Sequence, residues 1–263
     1  MEKRPARDNT MLAVRRWPVD DASVSILLLH GLGEYSGRYE HVGEFFAGRG
    51  FDVTAFDLRG HGRSGGRRSY VKHWAEYLDD VEDMLAALPS STRVLYGHSL
   101  GGLIATSYAV SDRPQPDLLV ASAPGLADNL APVLHTLSKI LGPILPTLSV
   151  ATGIKGEQLT HDVQVARAYD TDSLVLKKTT AKLGYEALRA RAETIEQLDR
   201  IRIPTLTIHG SADPIVPLAA SALLEPHATR IVYEGLLHEC HNEAEKEKVL
   251  GDIADWIDEQ VQA

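Results

Sequence analysis

The stretch that most constrains this chain is Arg93-Val-Leu-Tyr-Gly97-His98-Ser99-Leu100-Gly101-Gly102-Leu-Ile-Ala. A short apolar run that reads as a buried strand stops at Gly97, and an apolar-periodic helix begins at Ser99. A serine therefore sits on the turn between them. So sharp a reversal strains the backbone and brings the chain close to itself, which calls for glycine two residues to either side of the serine. Gly97 and Gly101 occupy those places. A bare G-x-S-x-G string arises by composition in about one chain of this length in ten, so its surroundings decide whether it is a nucleophile elbow.

Those surroundings alternate strand and helix. Val24-Ser-Ile-Leu-Leu-Leu-His30 is an apolar run that delivers His30-Gly31-Leu32-Gly33 to the carboxyl edge of a sheet, where open α/β sheets build their sites. Residues 10–18 predict an edge strand. A helix is expected over 39–49 with Val42, Phe45 and Phe46 on one face, then a strand over 51–56. A helix over 72–88 turns Trp74, Leu78, Val81 and Leu85 to one side, and residues 118–124 form another strand. Later come a strand over 203–209, a short helix over 218–224 and a strand over 229–233. A closing amphipathic helix over 244–261 points Val249, Ile253, Trp256 and Ile257 inward. The pattern predicts an α/β chain with a mainly parallel, doubly wound sheet covered on both faces.

Between residues 125 and 189 the alternation breaks. Residues 129–154 are apolar with one charge, Lys139, which by length alone would suggest a membrane span. Pro143 and Pro146 interrupt the run and Ser, Thr and His recur in it, so a helical insertion capping the site is expected instead. The organisation predicted is a core of residues 1–124 and 190–263 with a cap, or lid, of 125–189. An exposed apolar face on such a cap could touch lipid, or the insertion could be a packed helical hairpin with no membrane role.

A chain of 263 residues can bury a full two-sided sheet. Its formal charge of −9 argues against nucleic acid as a partner. Arg59, Arg63, Arg67 and Arg68 read as decoration of a loop. One cysteine, Cys240, excludes an internal disulfide framework and suits a reducing compartment; it reads as a buried small side chain rather than a reactive thiol. The polar N-terminus has no apolar signal core, so a cytoplasmic location is expected.

A serine hydroxyl needs a histidine to take its proton and a carboxylate to orient that histidine. On this architecture they arrive in the order Ser, Asp/Glu, His, each from a loop after a strand. Ser99, Asp213 and His238 fit that order as nucleophile, acid and base. The backbone N–H groups of Leu32 and Leu100 would form the oxyanion hole. His30, His98 and His209 read as structural, and His241 is the remaining rival for the base. Asp57 precedes the serine, the wrong order for the acid. No metal-ligand spacing and no dinucleotide or phosphate-loop pattern occurs, so no cofactor is implied.

With those residues in place, His30-Gly-Leu-Gly-Glu34-Tyr-Ser-Gly-Arg38-Tyr39, Asp57-Leu-Arg-Gly-His-Gly-Arg-Ser, Gly97-His-Ser-Leu-Gly-Gly, His209-Gly-Ser-Ala-Asp213 and Tyr233-Glu-Gly-Leu-Leu-His238-Glu resemble the monoacylglycerol lipase family of α/β-hydrolases. The resemblance runs from about Val24 to the C-terminal helix. It implies hydrolysis of a lipid ester, a monoacylglycerol, to glycerol and fatty acid through an acyl-enzyme. It also implies a helical cap over an acyl tunnel and peripheral membrane contact through that cap. Glu34, Arg38 and His241 would stand at the glycerol end of the pocket. Tyr35 departs from the family's usual histidine and Leu100 from its methionine, and the cap matches mainly at Ala168-Tyr-Asp-Thr-Asp-Ser-Leu174. A lysophospholipase or general short-chain carboxylesterase keeps the same mechanism; an amidase or peptidase, and a hydrolase-fold binder without turnover, are the other readings.

Overall fold

The computed structural model describes residues 1–129 and 132–262. Among them the strands are β1 (Glu2–Pro5), β2 (Met11–Trp17), β3 (Val24–Leu29), β4 (Asp52–Phe56), β5 (Thr92–His98), β6 (Leu118–Ser122), β7 (Ser149–Ala151), β8 (Lys178–Thr180), β9 (Thr205–Gly210) and β10 (Thr229–Tyr233). The helices are α1 (Glu40–Gly48), α2 (Ala75–Ala86), α3 (Leu100–Ala109), α4 (Pro132–Ile144), α5 (Val163–Thr171), α6 (Ala181–Ile195), α7 (Ala219–Ala222) and α8 (Lys246–Gln262). Eight strands form one sheet in the order β1-β2-β4-β3-β5-β6-β9-β10. From β4 to β10 every neighbouring pair is parallel, and β2 joins β4 and β1 antiparallel.

The central strands are apolar runs because both of their faces are covered. In β3, Leu27 and Leu29 pack with Val81, Leu85, Leu103 and Ile104 on one side, whereas Ile26 and Leu28 pack with Val42, Phe46, Val249, Ile253 and Ile257 on the other. The period of two in the strand thus feeds two helical layers, α2, α3 and α6 against α1 and α8. Residues 10–18 do form a strand, but it is not the edge: β1 pairs outside it, from Glu2 opposite Val14 to Pro5 opposite Met11. β1 carries no apolar signal because it is largely exposed, and the burial of Leu12, Ala13 and Val14 follows from the cover it gives β2. Arg59 is also not loop decoration. It is buried and grips Asp80 through Nε and Nη2, both at 2.7 Å.

Between β6 and β9 the chain forms α4, the β7–β8 antiparallel pair, α5 and α6, which runs past residue 189 to Ile195. α4 lies close on α6: a Cβ at Gly142 would sit 2.3 Å from Tyr185 Cβ. No helix among the described residues is long and apolar enough to cross a membrane.

Candidate active site

The elbow is built as its glycines require. Ser99 joins β5 to α3 with φ 53° and ψ −113°, a left-handed conformation that L-residues rarely hold. Its N–H is tied to Ser122 O of the neighbouring strand at 2.9 Å. A Cβ on Gly97 would stand 2.2 Å from Gly101 O, and one on Gly101 would stand 2.4 Å from Leu29 O, so neither position admits a side chain. Gly31 meets side chains instead: a Cβ there would lie 2.4 Å from Glu34 Oε1 and 3.2 Å from Ser99 Cβ. That closeness presents the 31–34 loop to the serine. Leu100 is the first residue of α3, where the N–H has no intrahelical acceptor, and Leu32 lines the same cleft as Ser99 and His238.

Asp57 holds that loop from behind. Its Oδ1 accepts from Ser36 N at 2.8 Å and Ser36 Oγ at 2.6 Å, while Oδ2 accepts from Arg63 N at 2.7 Å. His30 links the same two loops, with Nδ1 on Gly31 O and Nε2 accepting from Leu58 N at 2.9 Å.

Asp213 and His238 come from the loops after β9 and β10. His238 Nδ1 is 2.6 Å from Asp213 Oδ2, the orientation that leaves Nε2 for a serine proton. Asp213 Oδ1 accepts from Ile215 N at 2.8 Å and Val216 N at 3.0 Å, and His209 Nε2 reaches Oδ2 at 3.0 Å. Burial alone would raise the Asp213 carboxyl, but hydrogen bonds from His209 and His238 and the His238 charge outweigh it and hold the group well below the usual carboxylate range. Burial likewise disfavours charge on His238, and the Asp213 bond and charge override it, so the imidazole is raised above 6.5.

Behind His238 lies a buried polar cluster that was only partly visible in the sequence. Glu34 lines the cleft with Leu32, Ser99, Ile154, Leu159, Tyr169 and His238, around some 220 Å³ of empty space. Arg38 and His241 stand deeper. Arg38 Nη2 bonds both oxygens of Glu239 at 2.8 and 2.6 Å, its Nε reaches Glu34 at 3.3 Å, and its guanidinium lies 4.9 Å from the Tyr169 ring centre. Burial and the Glu239 charge push the Glu34 carboxyl up, against the pull of Arg38. His241 stacks on Tyr39 at 4.9 Å, and His98 lies 4.7 Å from the His238 ring and 4.9 Å from His241. Both His241 nitrogens, His98 Nε2 and the Tyr39 hydroxyl are buried without a hydrogen-bond partner among the described residues. Burial holds His98 and His241 well below the ordinary imidazole range.

His241 does not touch Asp213 in the way His238 does, which leaves it without an orienting acid. Glu34, His98 and Glu239 present donor atoms within 4.8 Å of one another, but Arg38 already engages both carboxylates, a poor setting for a cation. Cys240 is fully buried, and burial pushes its thiol up to about 12.

The chain is similar to known proteins over most of its length. Residues 20–245 match the family model described as serine aminopeptidase, S33. A monoacylglycerol lipase of Mycolicibacterium smegmatis is 32% identical over 252 residues, covering 91% of this chain and 90% of its own. Phospholipase YtpA of Bacillus subtilis is 27% identical, covering 93% and 99%. The crystal structure of a monoacylglycerol lipase from Paleococcus ferrophilus superposes with a TM-score of 0.88 at 31% identity, over 95% of this chain and 99% of that one. With an α/β-hydrolase sheet, a serine on a strained elbow and a family match across most of its length, the chain belongs to the serine aminopeptidase S33 family and is a serine hydrolase.

Proposed function

We propose that the protein hydrolyses monoacylglycerols, with Ser99 as nucleophile, His238 as base and then acid, Asp213 as its orienting carboxylate, and the N–H groups of Leu32 and Leu100 as the oxyanion hole. The observation that carries the substrate is the mixed lining of the cleft. Apolar Leu32, Ile154 and Leu159 line it together with Ser99, His238 and the Glu34 carboxyl. An acyl chain gains about 0.8 kcal/mol per CH₂ buried against the apolar residues. Among the polar groups Glu34 lines the cleft and offers a partner for the glycerol hydroxyls, with Tyr169 and Arg38 beside it, while the unpaired atoms of His98, His241 and Tyr39 are wholly buried behind. Residues 125–189 act as a cap over this cleft that shifts to admit the chain.

Fatty-acid release from monoacylglycerol, diacylglycerol, triacylglycerol and lysophosphatidylcholine, together with amine release from an aminoacyl amide, tests this, with Ser99→Ala as blank. The monoacylglycerol is expected to turn over fastest. Preference for the lysophospholipid, the reading favoured by the likeness to phospholipase YtpA, would move the head-group assignment while keeping the triad. Cleavage of the amide alone would overturn the ester reading; Arg38 bonding both Glu34 and Glu239 argues against a site for a free ammonium there.

The cap is also where we place contact with a lipid surface. Val133, Leu137, Ile140 and Ile144 recur at helical spacing on α4 and are exposed, with Leu145, Leu148 and Val150 beside them. Ile140→Glu with Ile144→Glu removes two side chains worth about 1.5 kcal/mol or more each, so vesicle affinity is expected to fall about a hundredfold. Activity on a soluble short-chain ester should stay; unchanged co-sedimentation with vesicles would remove the lipid-contact reading.

A further inference from the structure

The backbone on each side of His238 is held by the segment that walls the cleft. Glu239 N donates to Leu159 O at 2.8 Å. Leu237 N donates to Glu243 Oε1 at 3.0 Å. The same carboxylate takes His161 N on Oε2 at 3.0 Å and faces His161 Nδ1 from Oε1 at 3.0 Å. Beside it Thr160 Oγ1 donates to Asn242 O at 2.7 Å and accepts from Asp162 N at 3.0 Å, where α5 begins. The N–H before the base and the N–H after it thus both depend on residues 159–161, one directly and one through Glu243.

The Glu243 side chain is 1% exposed. A buried carboxylate is tolerated only when its lone pairs are filled. Here they are filled from two separate segments, one carrying the base and the other carrying Leu159, whose side chain is a wall of the cleft. Moving residues 159–161 outward would therefore break the Leu159 bond, strip Glu243 of its His161 donors and loosen the Leu237 tether together.

We propose that Glu243 is a positioning residue that locks the His238 loop to residues 159–161, so that the base is aligned only when that segment closes on the cleft. This rests on Ser99, His238 and Asp213 being the catalytic groups. A glutamine at 243 keeps the shape but has one accepting oxygen, and its NH₂ meets an N–H donor instead of receiving it.

The test compares wild type, Glu243→Gln and His161→Ala by the rate of fluorophosphonate labelling across pH and by kcat and KM on a soluble short-chain ester. A misaligned base is expected to slow labelling by Glu243→Gln about tenfold or more. Its kcat should fall more than its KM rises, and the acid limb of its pH profile should move down as the Asp213 contact loosens. His161 is well exposed, so His161→Ala should fold normally, and losing one donor predicts a change in the same direction of about three- to fivefold. Wild-type labelling and pH profile in both variants, with only the melting temperature lowered, would overturn the lock. So would a slow Glu243→Gln beside an unaffected His161→Ala, since Glu243 would then act within its own loop. Should Glu243→Gln fail to fold, His161→Ala decides alone. A wild type that does not label removes the triad reading and the lock with it, whereas a labelled wild type beside indifferent variants removes the lock alone.

Discussion

Ser99→Ala is expected to lower ester turnover by about 10⁵-fold or more, to the level left by the oxyanion donors and binding alone. The cost is chemical, since alanine supplies no oxygen to attack the carbonyl. The fold should not suffer. The left-handed backbone at 99 is imposed by the Ser122 bond and by glycines 97 and 101 on either side, none of which uses the hydroxyl. The variant should therefore keep the wild-type melting temperature while losing both fatty-acid release and covalent labelling by a fluorophosphonate. Undiminished turnover would remove Ser99 as nucleophile.

The second large effect is expected of Asp213→Asn, about 10⁴-fold in kcat. The Asp213 Oδ1 atom accepts two backbone N–H groups, so an asparagine oxygen settles there and its NH₂ faces the two histidines. That reverses the partner His238 needs. Its Nδ1 must then accept, its proton moves to Nε2, and the base can no longer take the serine proton. His209 also donates to Val216 O at 3.1 Å and meets a donor where it had an acceptor, which adds a loss of stability.

The pH dependence follows with definite sign. His238 is raised above 6.5 and must be neutral to act, so wild-type kcat/KM should climb with pH through a point above 6.5, and in Asp213→Asn that limb should fall to lower pH. For stability the two partners act in opposite directions. The gain at His238 is complete below its unfolded pKa of about 6.5 and is lost as pH rises through the higher folded value. The gain at Asp213 is present above about 3.9 and is lost as pH falls through the depressed folded value. An acid limb that stays put in Asp213→Asn would show that another group orients the base.

What could be read from the chain was whatever is local or ordered along it. Ser99, Asp213 and His238 were nominated by lying after three strands in the order Ser, Asp, His, and the glycines around Ser99 by the tightness of a strand-to-helix turn. The parallel sheet was legible because two-sided burial writes itself as unbroken apolar runs such as Val24–Leu29. β1 was not legible, because an exposed edge strand needs no apolar pattern at all.

Contacts between distant segments were decided by the tertiary structure. Arg59 looks like any loop arginine until Asp80 is placed against it, 21 residues away. His209 and His98 read as structural along the chain, and the fold puts one on Asp213 and the other against His238. Glu239 and Glu243 carry no signal beyond nearness to His238. Their partners, Arg38 and residues 159–161, arrive from 201 and about 80 positions away. The sequence by itself determined the strand order of the chemistry and the places where only glycine fits, because these depend on neighbours along the chain. Which carboxylate is paired, which imidazole is buried and which segment bonds to the backbone around His238 were decided only on folding, because desolvation and charge pairing depend on distance in space.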